Sequence, residues 1–384
     1  MVVQASVRRS GLLRKRLTAA ALALGTVGAL AAASPPQAQE PQHHPRHHGF
    51  REVDLVSDVA GRAQRTDPNL VNPWGLATAR SGELWVSDNG SDKATTYTGG
   101  QKGRPVTIGS RVVSFPTGGA PTGVVRNDTD DFEFSGFGRT APARFLFAGE
   151  RGDLFAYSPA VSRTNAVRVA HEDSGTETAV FKGLTLVRDR DDRHGDDEAR
   201  LLVANFRDAR IDVFDEDFNL VPSPGAFQDP NLPAGFAPFD VKEIGSKVFV
   251  TYALQDAEKE DDVAGPGNGF VNVFSQEGEF LKRFASRGVL NSPWGLEVAP
   301  RKFGRFSGDL LVGNFGDGRI NVFDRHTGHF EGTLKDRHGD PITIPGLWGL
   351  HRGTEKAGGR DAVWFAAGIN DENNGLLGVL RAEH

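Results

Sequence analysis

Asn72-Pro-Trp-Gly-Leu76, followed by Leu84-Trp-Val-Ser-Asp88, returns later in the chain as Ser292-Pro-Trp-Gly-Leu296 followed by Leu310-Leu-Val-Gly-Asn314. Each pair reads as a Gly-containing strand start and then an apolar strand that ends in a polar turn. Aligning the rest of the chain on these two yields six copies, centred on Gly75, Gly123, Gly183, Asp240, Gly295 and Gly349. The spacings are about 48, 60, 57, 55 and 54 residues, within or just above the period of propeller blades. Third strands follow with apolar and polar residues alternating, as in Ile211-Asp-Val-Phe214 and Ile320-Asn-Val-Phe323. Alternation of this kind predicts a strand with one face on an intersheet core. The sixth copy lacks a fourth strand, and an unpaired strand, Glu52-Val-Asp-Leu-Val56, stands before the first copy. The reading is all-β: a six-bladed β-propeller whose ring is closed by an N-terminal strand completing the last blade, which removes exposed sheet edges.

Composition agrees. The 384 residues include 47 Gly and 21 Pro set between short Val, Leu and Phe runs, as tight turns and half-buried strands require. A net charge of −6 makes no case for nucleic-acid binding. No cysteine is present, so thiol nucleophiles, zinc–thiolate sites and disulfides are excluded, as is a lipoprotein-type export signal.

The first residues differ from the rest. Arg8, Arg9, Arg14, Lys15 and Arg16 precede an alanine-rich apolar run over 17–33, the charged and hydrophobic regions of an export signal. Cleavage after Ala33 or Ala38 both fit, as do the general and twin-arginine routes. The expected organisation is a signal over 1–38, a His/Pro-rich disordered linker over 39–51, and one propeller domain over 52–384. The expected location is secreted, periplasmic or cell-envelope in a bacterium, with no membrane span after cleavage, and the expected state is a monomer. Residues 188–200, of mixed charge, and 256–269, acidic and then glycine-rich, read as insertions between strands.

Antiparallel pairing puts the starts of the inner strands and the ends of the second strands on one face. Trp74, Lys182, Trp294 and Trp348 precede aligned positions, whereas Asp88, Glu150, Asn205, Tyr252, Asn314 and Asp371 end second strands or follow them. These ten are the candidate ligand-binding residues of the central opening. Two bland readings compete: tryptophans that pack between blades, and Asn or Asp that cap turns. Lys182 stands out, since other copies carry an aromatic residue or Thr there. The hard oxygen donors Asp88, Asn205, Asn314 and Asp371 would suit calcium. The Asp-Pro-Asn-Leu stretches at 67–70 and 229–232 read as turns, or as a paired rim. Gly-x-Ser-x-Gly is absent, and of the histidines outside the linker only His351 lies beside a strand core.

Thr66-Asp-Pro-Asn-Leu-Val-Asn-Pro-Trp-Gly-Leu76, Trp85-Val-Ser-Asp-Asn-Gly90, Asp261-Asp-Val-Ala-Gly-Pro-Gly-Asn-Gly-Phe270 and Gly313-Asn-Phe-Gly-Asp-Gly-Arg-Ile-Asn321 carry a wider likeness. Over 55–380 the chain resembles an uncharacterised family of exported bacterial proteins related to six-bladed NHL-type, lactonase-like propellers. The resemblance implies fold and export, and it supplies no established activity. Six-bladed lactonases hold calcium at the central opening through Glu, Asn and Asp, but their acidic residue at the start of an inner strand has no counterpart here. An extracytoplasmic binding or interaction propeller is therefore expected, its ligand a small molecule, glycan or protein at the central opening. A calcium-dependent lactonase-like hydrolase or lyase is the alternative.

Overall fold

A computed structural model describes residues 49–188 and 199–383. The export signal, most of the expected linker and nearly all of the mixed-charge insertion lie outside the described residues. Together with two small two-stranded sheets, the described residues form six blade sheets, five of them four-stranded and antiparallel and the sixth extended by a two-residue parallel edge strand. Their inner strands are Pro73–Thr78, Pro121–Arg126, Phe181–Arg188, Phe236–Ile244, Pro293–Val298 and Leu347–Arg352. In the sixth sheet the fourth place is taken by Phe50–Ser57, which pairs antiparallel with the last strand, Asn374–Ala382. The ring therefore closes as the repeat predicts. This closing strand begins two residues inside the expected linker. Phe50 is buried against Phe303 and Phe306, with ring centroids 4.9 and 5.7 Å away, and this packing draws the strand start back to it.

The repeated glycine has a steric cause. A β-carbon on Gly75 would meet the Thr122 carbonyl oxygen at 2.6 Å, and one on Gly349 would meet that of Trp74 at 2.4 Å. One on Gly295 would meet the Trp348 oxygen at 2.6 Å. Each glycine thus faces the backbone of the next inner strand around the ring, at a separation that admits no side chain. Pairing with the second strand shifts register at this point in all six blades.

Six apolar layers fill the spaces between successive blades. A seventh, aromatic cluster occupies the axis. Because every blade is sandwiched, both faces of the third strands are buried, and not only the face that the alternation places on an intersheet core. The polar members of the alternation, Thr95, Asp212, Asn272 and Asn321, are at most 3% exposed. Each makes a hydrogen bond within the protein, and Asn272 keeps a buried Oδ1 without a partner.

Candidate functional site

Three of the expected site residues meet on the axis. Trp74 stacks on Trp348 at 3.5 Å, Trp348 stacks on Phe315 at 3.9 Å, and Trp294 meets both indoles edge-on. Together with Phe206 and Phe239 they make an apolar plug. The indole nitrogens of all three tryptophans are buried without a partner.

On the face where the inner strands start, Lys182 is 1% exposed and lies over the Trp74 ring at 5.1 Å. Its Nζ donates to Glu150 at 2.9 Å and to Asp261, from the acidic insertion, at 3.3 Å. The Glu150 carboxylate also accepts from Asn89, whose side chain accepts from Asn72, and Asn72 in turn donates to Glu372 at 2.8 Å. A polar belt thus links blades six, one, two, three and four. Burial alone would push Glu150 up, but the Lys182 charge and hydrogen bond, aided by Asn89, outweigh it and hold the carboxyl below its usual range. Burial likewise opposes the Lys182 ammonium, and Glu150 with Asp261 overcomes that and raises it. Glu372, rather than the expected Asp371, reaches this belt. Asp371 sits in an exposed turn with left-handed φ.

The other expected residues are engaged inside their own blades. Asp88 accepts from Thr95 at 2.8 Å, and burial pushes its carboxyl well up. Asn205 donates to Asp208 and Asp212, and Asn314 donates to the Val289 carbonyl and to Asp317. Tyr252 packs in the layer between blades three and four, where burial raises its phenol. Among the described residues no three His, Cys, Asp or Glu side chains are grouped so as to hold a metal ion. The Asp-Pro-Asn-Leu aspartates act as anchors: Asp67 accepts from Tyr97, and Asp229 accepts from Asn272 and Arg283.

A cavity of about 730 Å³ opens on the opposite face, where the inner strands end. Trp294 is the only one of the ten expected residues that lines it. Its polar wall comes from positions two or three residues past the aligned glycine or Asp240, one from each of four consecutive blades. Lys242 in blade four donates to Glu297 in blade five at 3.1 Å and to the Leu296 carbonyl at 2.6 Å. The same Glu297 Oε2 lies 3.6 Å from Nδ1 of His351 in blade six and accepts from the Arg352 backbone N–H. His351 Nε2 lies 2.6 Å from the Thr78 hydroxyl in blade one. Burial pulls the His351 imidazole down to about 4, against the pull of Glu297, so it is neutral at neutral pH. Burial would raise Glu297, but the Lys242 charge and hydrogen bond, aided by Arg352, outweigh it and hold the carboxyl below its usual range. Of this wall the sequence singles out only His351, although Lys242, Glu297 and His351 share one position in the repeat.

Asp240, which replaces the repeated glycine in blade four, also lines the cavity. Burial raises its carboxyl to about 8, a shift that Lys242 only partly offsets. The folded state therefore keeps a proton on Asp240 that the unfolded chain has released. Stability should fall by about 1.4 kcal/mol per pH unit as pH rises between roughly 4 and 8. Asp240→Asn is expected to match the native protein near pH 4 and to exceed its stability by a few kcal/mol near pH 8. Urea melts across that range check this, and parallel pH profiles for the two proteins would refute it.

Two proteins of Acanthamoeba polyphaga mimivirus are similar to this chain in sequence. Uncharacterized protein R648 is 33% identical over 333 residues, covering 85% of this chain and 78% of that protein. Uncharacterized protein L690 is 32% identical over 330 residues, covering 85% and 84%. No model of a known protein family matches the chain. Among solved structures, the α-L-arabinanase of Penicillium chrysogenum complexed with arabinobiose superposes with a TM-score of 0.54 at 14% identity, over 85% of this chain and 97% of that one. The soluble aldose sugar dehydrogenase of Escherichia coli in its apo form gives 0.50 at 12% identity, over 87% and 100%. At such identities these likenesses speak to fold alone. Among the described residues no helix is long and apolar enough to cross a membrane.

Proposed function

The chain belongs to the same family as the mimivirus proteins R648 and L690, whose members named here are uncharacterised, and we propose that it is an exported binding propeller holding a small polar molecule in the cavity on the strand-exit face. One observation carries this reading. A cavity of about 730 Å³, within the range of small-molecule sites, receives charged and hydrogen-bonding groups from four successive blades on a rigid ring. The partner is then a small molecule rather than a glycan chain or a protein, because the polar groups lie inside a concavity and not across a flat face. Export is supported by the basic and apolar segments that open the chain. The reading assigns no role to calcium: Asp88 Oδ1 and Asn314 Oδ1 are buried without a partner, but among the described residues no three His, Cys, Asp or Glu side chains are grouped so as to hold a metal ion.

The test is a thermal-shift and calorimetric screen of small organic acids, sugars and their esters. At least one class is expected to stabilise the native protein and to lose its effect in Val125→Trp, which fills cavity space. Equal responses of the two proteins to every compound would overturn the assignment.

A further inference from the structure

Thr78, His351 and Glu297 stand in the order nucleophile, base and carboxylate. The Thr78 hydroxyl and His351 Nε2 are 2.6 Å apart, and Glu297 Oε2 is 3.6 Å from Nδ1, which has no other partner. Glu297 settles the imidazole tautomer. Its carboxylate would repel a lone pair on Nδ1 and attracts an N–H there, so the proton sits on Nδ1 and Nε2 is left to accept from Thr78. Lys242 and the Arg352 backbone N–H fix the carboxylate in turn. Arg126 completes the arrangement. Its Nη1 donates to the Thr78 carbonyl oxygen at 3.1 Å and its Nη2 pairs with Asp128, which sets the guanidinium next to Thr78 on the cavity wall. All these groups line the one cavity, and the exposed Arg352 stands at its wall. A hydroxyl, a neutral imidazole and a carboxylate at these spacings have the geometry of an acyl-transfer relay, which in the absence of substrate is commonly loose.

We propose that Thr78, His351 and Glu297 hydrolyse small carboxylic esters through an acyl-threonine, with esters that carry a further negative charge favoured by Arg352. This rests on the reading of the cavity as the ligand site. Thr78 Oγ1 attacks the ester carbonyl carbon while its proton passes to His351 Nε2, and the carbonyl π pair moves onto oxygen beside Arg126. Collapse re-forms the carbonyl and breaks the bond to the alkoxy oxygen, which leaves as alcohol with the proton from Nε2. Water then attacks the acyl-threonine and gives a proton to Nε2. Collapse releases the acid and returns that proton to Thr78. The sum is ester plus water to acid plus alcohol, with no change of oxidation state. Thr78 and His351 are the catalytic residues, and Glu297 is a positioning residue.

The test uses the full protein with p-nitrophenyl acetate and the p-nitrophenyl hemi-ester of succinic acid. The native protein is expected to show a burst of nitrophenol followed by slower turnover, faster with the hemi-ester. Thr78→Val and His351→Gln should each lose about a hundredfold or more in kcat, and Thr78→Ser should retain the burst. Glu297→Gln should lower kcat with little change in KM and alter the pH profile, which a merely structural role would not do. A fluorophosphonate should add its mass to the Thr78 peptide in the native protein and not in His351→Gln. A folded native protein that turns over neither ester, or a Thr78→Val variant as fast as the native one, overturns the proposal. If the small-molecule screen finds a cavity ligand and neither ester reacts, the relay fails and the binding reading stands. If no compound binds and no ester reacts, both fail.

Discussion

Trp348→Ala is expected to cost about 3–5 kcal/mol and to lower Tm on the order of 10 °C. The indole is 2% exposed and is held face to face between Trp74 and Phe315, with Trp294 and Phe239 against its edges. Its removal takes away more than one side chain's burial, because the rigid inner strands around the axis cannot close on the space left behind. Trp348→Phe keeps a ring in the stack and gives up no hydrogen bond, since the indole nitrogen has no partner. It should cost less than half as much. Denaturant melts of the two variants measure the difference. A similar loss for both would place the stability in the outline of the indole rather than in the stack.

Lys182→Met is expected to be the next most damaging change, at about 3 kcal/mol. The substitution preserves the buried aliphatic length and removes only the charge, so the cost comes from Glu150. That carboxylate, 29% exposed, would face the aromatic plug without its cation. The sign with pH follows. In the native protein Glu150 is held below its usual range, so its contribution is present above the ordinary carboxylate range and fades as pH falls. In Lys182→Met burial acts unopposed and raises the carboxyl, so the deficit should shrink in acid as Glu150 takes up a proton. Adding Glu150→Gln should restore part of the loss at neutral pH. A deficit independent of pH and unmoved by the second substitution would mean that Lys182 acts through packing alone.

The repeat made the ring legible, and it did so through backbone chemistry. Gly75, Gly123, Gly183, Gly295 and Gly349 recur because adjacent inner strands touch there, a constraint met afresh in five blades, with Asp240 at the position in the fourth. The closing strand was legible for a similar reason: a sixth blade one strand short and a spare strand upstream have one economical solution. The central tryptophans and the Lys182–Glu150 pair were also placed on one face by strand direction alone. The rest was harder. The partners of Asp88, Asn205 and Asn314 were not legible, because it is the sandwiching of each blade that turns Thr95, Asp212 and Asn321 inward to meet or accompany them. Asp371 and Glu372 are neighbours in a turn of left-handed residues, and nothing in the residue types says which of the two points inward. The cavity wall was not legible because the repeated glycines mark the face where each inner strand begins, and the wall lies at the other end. Thr185, Lys242, Glu297 and His351, each two places beyond the aligned position, mark the other end and interrupt an apolar strand four times in succession.

The pairing of Phe50–Ser57 with Asn374–Ala382 joins segments made first and last, more than three hundred positions apart. A chain that emerges N-terminus first must therefore carry this strand unmatched until its final blade exists, and the sixth sheet stays an open edge for that whole interval. Ring closure is thus expected late in synthesis, and synthesis that stalls before the sixth blade leaves an open arc with an exposed sheet edge. The same latch makes the ring a natural candidate for circular permutation. Linking the two latch strands with a short turn and opening the chain between two other blades would convert the slowest contact to make into a local hairpin.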